Sequence, residues 1–324
     1  MTHLKKLLSL IVSTLVLFSC AACGSDGKIR ESTTPQVTEL SPKINSSTVI
    51  DEENLKEYNP QLIFKGETGG NTHTGLMPLG KIQFTATENT KGLSNEKLSH
   101  SHGPSSDGKP YHTVVEFQKT FQKYGGFTLD DKSSEKVLYL TFDCGYEYNE
   151  LTGKILDVLK GKKVPATFFC TLDYLKAEPE FVARMITEGH IVGNHSATHP
   201  SFASISREKM ANELEIFENY LRENFGYASR YFRFPAGEYT ESALELVQSL
   251  GYVSVFWSTA YDDWDTSKVK GKDYAVEKVM SRLHSGAVIL LHAVSQDNAE
   301  ALGEIIDKAR SQGYEFRSLT EYGK

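Results

Sequence analysis

Residues 136–145 read Lys-Val-Leu-Tyr-Leu-Thr-Phe-Asp-Cys-Gly. An apolar run of strand length, Val137–Phe142, leads straight into an acid and a glycine turn. Comparable runs follow at Thr167–Cys170, Ile191–Asn194, Tyr231–Phe234, Tyr252–Trp257, Val288–Leu291 and Tyr314–Leu319. Helical patterns separate most of them: Leu151–Lys160, Pro179–Glu188, Arg207–Asn224, Ser242–Leu250, Tyr274–Leu283 and Ala299–Gln312. Gly189, Gly251 and Gly313 stand where helix C-caps belong, and Ser206 and Thr240 precede acids of a first helical turn, as N-caps do. Strands alternating with helices predict parallel β/α units, in an open doubly wound sheet or in a barrel.

Around this periodic part, 131–324, the rest of the 324-residue chain differs in character. Lys5 and Lys6 precede the apolar stretch Leu7–Phe18, followed by Ser-Cys20-Ala-Ala-Cys23-Gly. That stretch is about half of the ~20 residues a membrane-spanning helix needs, so residues 1–23 read as a secretory signal. Small residues leading into cysteine resemble the bacterial lipoprotein signal, with Cys23 the preferred lipidated residue and Cys20 the weaker one. The protein is then exported and tethered to the outer face of the membrane, facing the cell wall. Residues 24–50, rich in Ser, Thr and Pro, read as a flexible linker. Residues 51–130 read as an extension packed on the main domain, with short apolar pieces at Gln61–Lys65 and Gly80–Thr85 and a helix near Thr113–Tyr124. Its His100, His102 and His112 lack a carboxylate or cysteine at binding spacing and read as solvated loop histidines. A net charge of −7 excludes the basic face of a nucleic-acid binder, and four scattered cysteines exclude a disulfide scaffold. The expected state is a monomer.

In both candidate architectures the working face lies beyond the carboxyl ends of the strands. Nearly every strand ends there in a chemically capable residue: Asp143, His195 with His199, Arg233-Phe-Pro-Ala-Gly237, Asp262-Asp263-Trp264, and His292. His195 and His199, four apart, suit a divalent metal, zinc first, if one helical turn puts both rings on one side. Asp143 is placed to take a proton from an activated water, and Arg233 to hold that carboxylate ionised and oriented. His292, paired with Asp263 or with the competing Asp262, can stay protonated and give its proton to a departing amine. The backbone N–H near Ala236 can complete an oxyanion site. Trp264 offers a platform for a sugar face; Trp257 reads equally well as platform or core.

Thr-Phe-Asp143-Cys-Gly, His195-Ser-Ala-Thr-His199, Arg233-Phe-Pro-Ala-Gly237, Asp263-Trp264 and Leu-Leu-His292 resemble, in that order, the motifs of the polysaccharide deacetylase domain (NodB homology, carbohydrate esterase family 4), over residues 110–320. The resemblance implies a distorted (β/α) barrel of about seven parallel strands and metal-dependent removal of acetyl groups from polysaccharides. Tyr-Gly-Gly-Phe127, Thr-Phe-Asp-x-Gly-Tyr146-Glu147, Phe-Trp257-Ser-x-Ala-Tyr-x-Asp263-Trp264 and Asp297-Asn-Ala-Glu300 are similar to the delta-lactam-biosynthetic branch of spore-forming bacteria. That branch implies deacetylation of N-acetylmuramic acid in peptidoglycan, and adds Tyr146 and Glu147 to the substrate side of the site. Rival readings are a deacetylase of another glycan, glucosamine-based or xylan-like, and a glycan binder without catalysis. Two positions depart from the family. Cys144 stands where a second aspartate usually ligates metal; it can be a thiolate ligand, be dispensable beside two histidines and waters, or pair with Cys170. Ala236 replaces a bulky side chain, which leaves the substrate groove without one wall.

Overall fold

The computed structural model describes residues 69–105 and 107–324. The signal segment with Cys20 and Cys23, the linker, and residues 51–68 with Gln61–Lys65 lie outside the described residues. Among the described residues no helix is long and apolar enough to cross a membrane.

Nine strands are present: β1 (Leu98–Ser99), β2 (Val137–Cys144), β3 (Ala166–Cys170), β4 (Ile191–Asn194), β5 (Tyr231–Phe232), β6 (Glu238–Tyr239), β7 (Val253–Ser254), β8 (Ala287–His292) and β9 (Glu315–Phe316) among the described residues. The helices are α1 (His112–Gln122), α2 (Leu151–Lys162), α3 (Leu172–Ala177), α4 (Pro179–Thr187), α5 (Arg207–Phe225), α6 (Glu241–Ser249), α7 (Lys272–Met280) and α8 (Gln296–Ser311). The main sheet runs β7-β5-β4-β3-β2-β8, with β9 against the start of β2, and all of these pairings are parallel. Beyond β7 the chain reaches the free edge of β8: Thr259 bridges Ile289 in parallel, and the Leu290 N–H donates to the Thr259 carbonyl at 2.8 Å. That bridge joins the two sheet edges. The fold is therefore the distorted barrel, and the open doubly wound sheet is excluded.

β2 sits between β3 and β8, and its side chains alternate between two cores as the two-residue strand period requires. Leu138, Leu140, Phe142 and Cys144 pack outward among Leu151, Ile155 and Leu156 of α2 and Leu302 and Ile305 of α8. Val137 and Tyr139 face the interior with Phe169, Val288 and Leu290. Asp143 continues the inward series at the rim. The expected N-caps are in place, with the Lys209 N–H donating to the Ser206 hydroxyl and the Ala243 N–H to the Thr240 hydroxyl. Gly189, Gly251 and Gly313 follow their helices in the left-handed region.

The short strands differ most from expectation. β5 stops at Phe232 because the chain turns at Pro235–Gly237, with φ of 54° at Ala236 and 66° at Gly237. β7 stops at Ser254 because the following backbone pairs with Phe127 and then with β8. The described extension lies along α5, where Leu79 bonds Arg222, Ile82 bonds Asn219 and Phe84 bonds Glu215. It then adds β1 antiparallel to β6, a pairing invisible in two-residue strands separated by about 140 positions of sequence.

Packing demands the glycine of β4. A Cβ at Gly193 in β4 would stand 2.5 Å from the Phe169 ring. We expect Gly193→Ala to destabilise the protein by about 1–3 kcal/mol in urea unfolding, the usual cost of overpacking; an unchanged midpoint would show that Phe169 has room to move.

Candidate active site

Asp143, next to last in β2, stands beside His292, its register partner at the end of β8. Its Oδ1 accepts from Nη1 of Arg233 at 2.7 Å, and its Oδ2 lies 3.6 Å from Nε2 of His195. The guanidinium is wholly buried. Nη2 donates to the Thr141 hydroxyl at 2.9 Å and to the Phe256 carbonyl at 3.3 Å, Nε donates to the Val255 carbonyl at 3.1 Å, and the Phe169 ring lies 4.1 Å beneath. Burial alone would raise the Asp143 pKa; the charges of Arg233, His195 and His292 outweigh it and hold the carboxyl below its ordinary 3.8. The pair therefore contributes stability that is complete above the unfolded carboxyl pKa and is lost as pH falls through the depressed folded value.

His195 and His199 come together, but not by a helical turn. Residues 195–200 are an irregular loop in which Ser196 and His199 have φ of 72° and 56°. The loop is tied down by side chains: Asn194 Oδ1 accepts the Ser196 N–H at 2.8 Å, the Ser196 hydroxyl accepts the His199 N–H at 2.9 Å, and the Glu213 carboxylate accepts both the N–H and the hydroxyl of Thr198. The two left-handed residues replace the helix in bringing the rings to 4.8 Å, edge to face. His195 donates Nδ1–H to the Arg233 carbonyl at 2.8 Å, which fixes its tautomer and leaves Nε2 as a lone-pair donor. Burial, opposed by Asp143, lowers its pKa to about 4, so the ring is neutral near pH 7. His199 opens to solvent, and desolvation, again opposed by Asp143, lowers its pKa too.

These neutral imidazoles fit a divalent cation. The donor type is right, one ring is oriented by a carbonyl, and a carboxylate stands beside it. Among the described residues no three His, Cys, Asp or Glu side chains are gathered to hold a metal ion. Cys144 does not supply the missing ligand, which corrects that expectation. Two-residue alternation sends its side chain outward as Asp143 points in, and it lies fully buried in the outer apolar core. Burial first, then Cys170, raises its thiol pKa well above the ordinary value, the opposite of what a thiolate ligand needs. Nor is it bridged: Cys144 and Cys170, in register on β2 and β3, are free thiols. Two histidines, with water or substrate completing the shell, is the arrangement that fits.

Across the site, His292 donates Nδ1–H to Asp263 Oδ1 at 2.6 Å, while its backbone N–H donates to Oδ2 at 2.8 Å. Burial would lower its pKa, yet Asp263 more than compensates and raises it. This contribution to stability is complete below the unfolded pKa and is lost as pH rises through the folded one. Asp263 is buried and Asp262 exposed, so Asp263 is the partner. Asn298, quoted in the sequence only within Asp297-Asn-Ala-Glu300 and given no role there, donates to Asp263 at 2.6 Å and to the His292 carbonyl at 3.2 Å, and accepts from the Tyr261 hydroxyl at 2.5 Å.

The remaining candidates divide. Trp264 and Tyr146 stand out at 59% and 53% exposure. Ala236 is exposed at a turn closed by the Gly237 N–H donating to the Phe234 carbonyl. Glu147, expected on the substrate side, instead accepts from the N–H groups of Tyr148 and Thr152 and from the Tyr174 hydroxyl, closing the start of α2. Trp257 is core, and its indole N–H donates to His102 at 3.1 Å. His100 is likewise buried, against the solvated-loop expectation; its Nε2–H donates to the Trp257 carbonyl at 2.6 Å among Phe117, Phe121 and Phe256.

Comparison with known proteins matches this architecture. The sequence profile of the polysaccharide deacetylase family matches residues 130–255, a stretch that ends before Asp263 and His292. The chain is 39% identical over 247 residues to the peptidoglycan-N-acetylmuramic acid deacetylase PdaA of Bacillus subtilis, covering 76% of this chain and 91% of that one. It is 34% identical over 202 residues to a peptidoglycan-N-acetylglucosamine deacetylase of Bacillus cereus, covering 61% and 72% respectively. The solved structure of Bacillus subtilis PdaA, described as a family 4 carbohydrate esterase, superposes with a TM-score of 0.68 at 38% identity over 71% of this chain and 98% of that one. With the barrel, the ordered motifs and a likeness spanning nearly the whole of PdaA in agreement, the chain belongs to the polysaccharide deacetylase family, the family 4 carbohydrate esterases.

Proposed function

We propose that the protein is a metal-dependent peptidoglycan deacetylase that hydrolyses the N-acetyl group of N-acetylmuramic acid, yielding acetate and a free amine able to close to muramic delta-lactam. The observation that carries this reading is the Asp143 carboxylate, bonded to a buried guanidinium and set between a neutral His195 and a His292 whose proton affinity Asp263 raises. Two groups of opposite protonation state on one rim are what a base-then-acid hydrolysis requires.

Asp143 accepts the proton of the attacking water. The Ala236 N–H, on its left-handed turn, stabilises the oxyanion of the tetrahedral intermediate. His292, charged and oriented by Asp263, delivers its proton to the amine nitrogen as the C–N bond breaks. His195 and His199 would hold the divalent metal, zinc by donor type, which supplies Lewis acidity to the water and the acetyl oxygen. Trp264 and Tyr146 receive the sugar chain. Support for muramic acid comes from the greater identity and coverage of the likeness to the N-acetylmuramic acid deacetylase than to the N-acetylglucosamine one. The proposal includes the domain plan read from the sequence: a lipidated Cys23 at the outer face of the membrane, a linker over 24–50, and a catalytic domain from 131 with its extension packed on it.

Peptidoglycan fragments incubated with the zinc-loaded protein should lose one acetyl group from muramic acid and none from glucosamine, read by tandem mass spectrometry. Asp143→Asn should slow this about 10²–10⁴-fold. Loss from glucosamine alone would move the substrate to the rival glycan. Zinc titration of the apoprotein should give His195→Ala an affinity weaker by about tenfold or more, while Cys144→Ser binds as the wild type does. Weakened zinc binding in Cys144→Ser would put the thiol back in the coordination shell.

A further inference from the structure

Trp257 is the meeting point of the site's supports. Its ring lies 5.6 Å from the Arg233 guanidinium carbon, and the two carbonyls that hold Arg233 by Nε and Nη2 belong to its neighbours Val255 and Phe256. Its far edge abuts the oxyanion turn, since a Cβ at Gly237 would stand 2.9 Å from Cη2. Its carbonyl receives both the His100 Nε2–H and the Thr128 hydroxyl, at 2.6 and 2.7 Å. The indole has a single polar atom, and the acceptor for it is Nδ1 of His102, brought from the extension more than 150 residues away in sequence. The same segment grips the oxyanion turn directly: the His100 N–H donates to the Gly237 carbonyl at 2.9 Å, and β1 pairs with β6 immediately beyond.

We propose that His102 is a positioning residue: its Nδ1 fixes the rotation of the Trp257 indole, and through that ring holds Arg233 and the Pro235–Gly237 turn in register with Asp143. This rests on the reading of Asp143 and Arg233 given above. A flat ring wedged between a guanidinium and a turn sets both distances at once, and an indole whose N–H has lost its acceptor is free to tilt toward another. Burial first, then Arg282, lowers the His102 pKa, which keeps the Nδ1 lone pair available to accept. The extension is therefore part of the working site, not merely a cover on the barrel.

Asparagine can place an amide oxygen where Nδ1 stands, and alanine cannot. In the full-length zinc-loaded protein, His102→Ala should lower kcat about tenfold with KM unchanged within about twofold, and His102→Asn should restore most of it, as small displacements of a catalytic group cost rate before binding. Two resonances report positioning without activity: the Trp257 indole N–H, assigned in a Trp264→Phe background, and the Arg233 Nε–H, assigned by its loss in Arg233→Met. Both should shift in His102→Ala and return in His102→Asn. An Arg233 signal that stays put while the indole signal moves would overturn the proposal, as would equal rates in all three proteins. If no glycan is deacetylated by the wild type, the functional reading fails, and the two resonances still decide whether His102 positions Arg233.

Discussion

A guanidinium without solvent contact, bonded to one carboxylate, one hydroxyl and two carbonyls and laid on an aromatic ring, is the constraint on which this site is built. Burying a charge is tolerable only when it is paired and its donors are used, and breaking such a pair typically costs about 3–5 kcal/mol. Arg233 meets both conditions by drawing partners from β2 and from the backbone past β7, and its own carbonyl orients His195. Fold and chemistry are coupled here, because the contacts that make the buried arginine tolerable also fix the rotamer and charge of Asp143.

The three histidines of the site show how environment divides one residue type among roles. His195 and His199 are kept neutral by desolvation, as ligands must be. Burial works against charge on His292, but Asp263 outweighs it and raises the pKa, and its carboxylate is in turn anchored by Asn298. The base is thus pushed toward its unprotonated form and the acid toward its protonated form without either leaving its place.

Much of this was legible in the sequence. Strand ends bearing Asp143, Arg233 and His292 and capped helices led to parallel β/α units, the ordered motifs to the barrel, and the strand ends to the pair Arg233–Asp143, because parallel topology delivers those residues to one rim. The partner of His292 stayed open between Asp262 and Asp263. Cys144 was not settled by sequence, where the analogy of position favoured a ligand; its burial in the outer apolar core decides against that. The helical reading of His195–His199 failed because spacing does not reveal left-handed residues, and an Asn-Ser-Glu network can replace a helical turn. His100, His102 and Asn298 were unreadable for a different reason. Their partners are distant in sequence or hidden in a bonding chain, and a histidine in a polar stretch carries no mark of the indole it will meet.

The central claim is that Arg233 sets the ionisation of Asp143. The direct measurement is the pH titration of the Asp143 carboxyl by carbon-13 NMR in the folded protein, with and without Arg233→Met. The account predicts a wild-type carboxyl that protonates below 3.8, its ordinary value, and a clear rise in the variant as burial acts unopposed. Titration of Asp143 at the same pH in both proteins would contradict it.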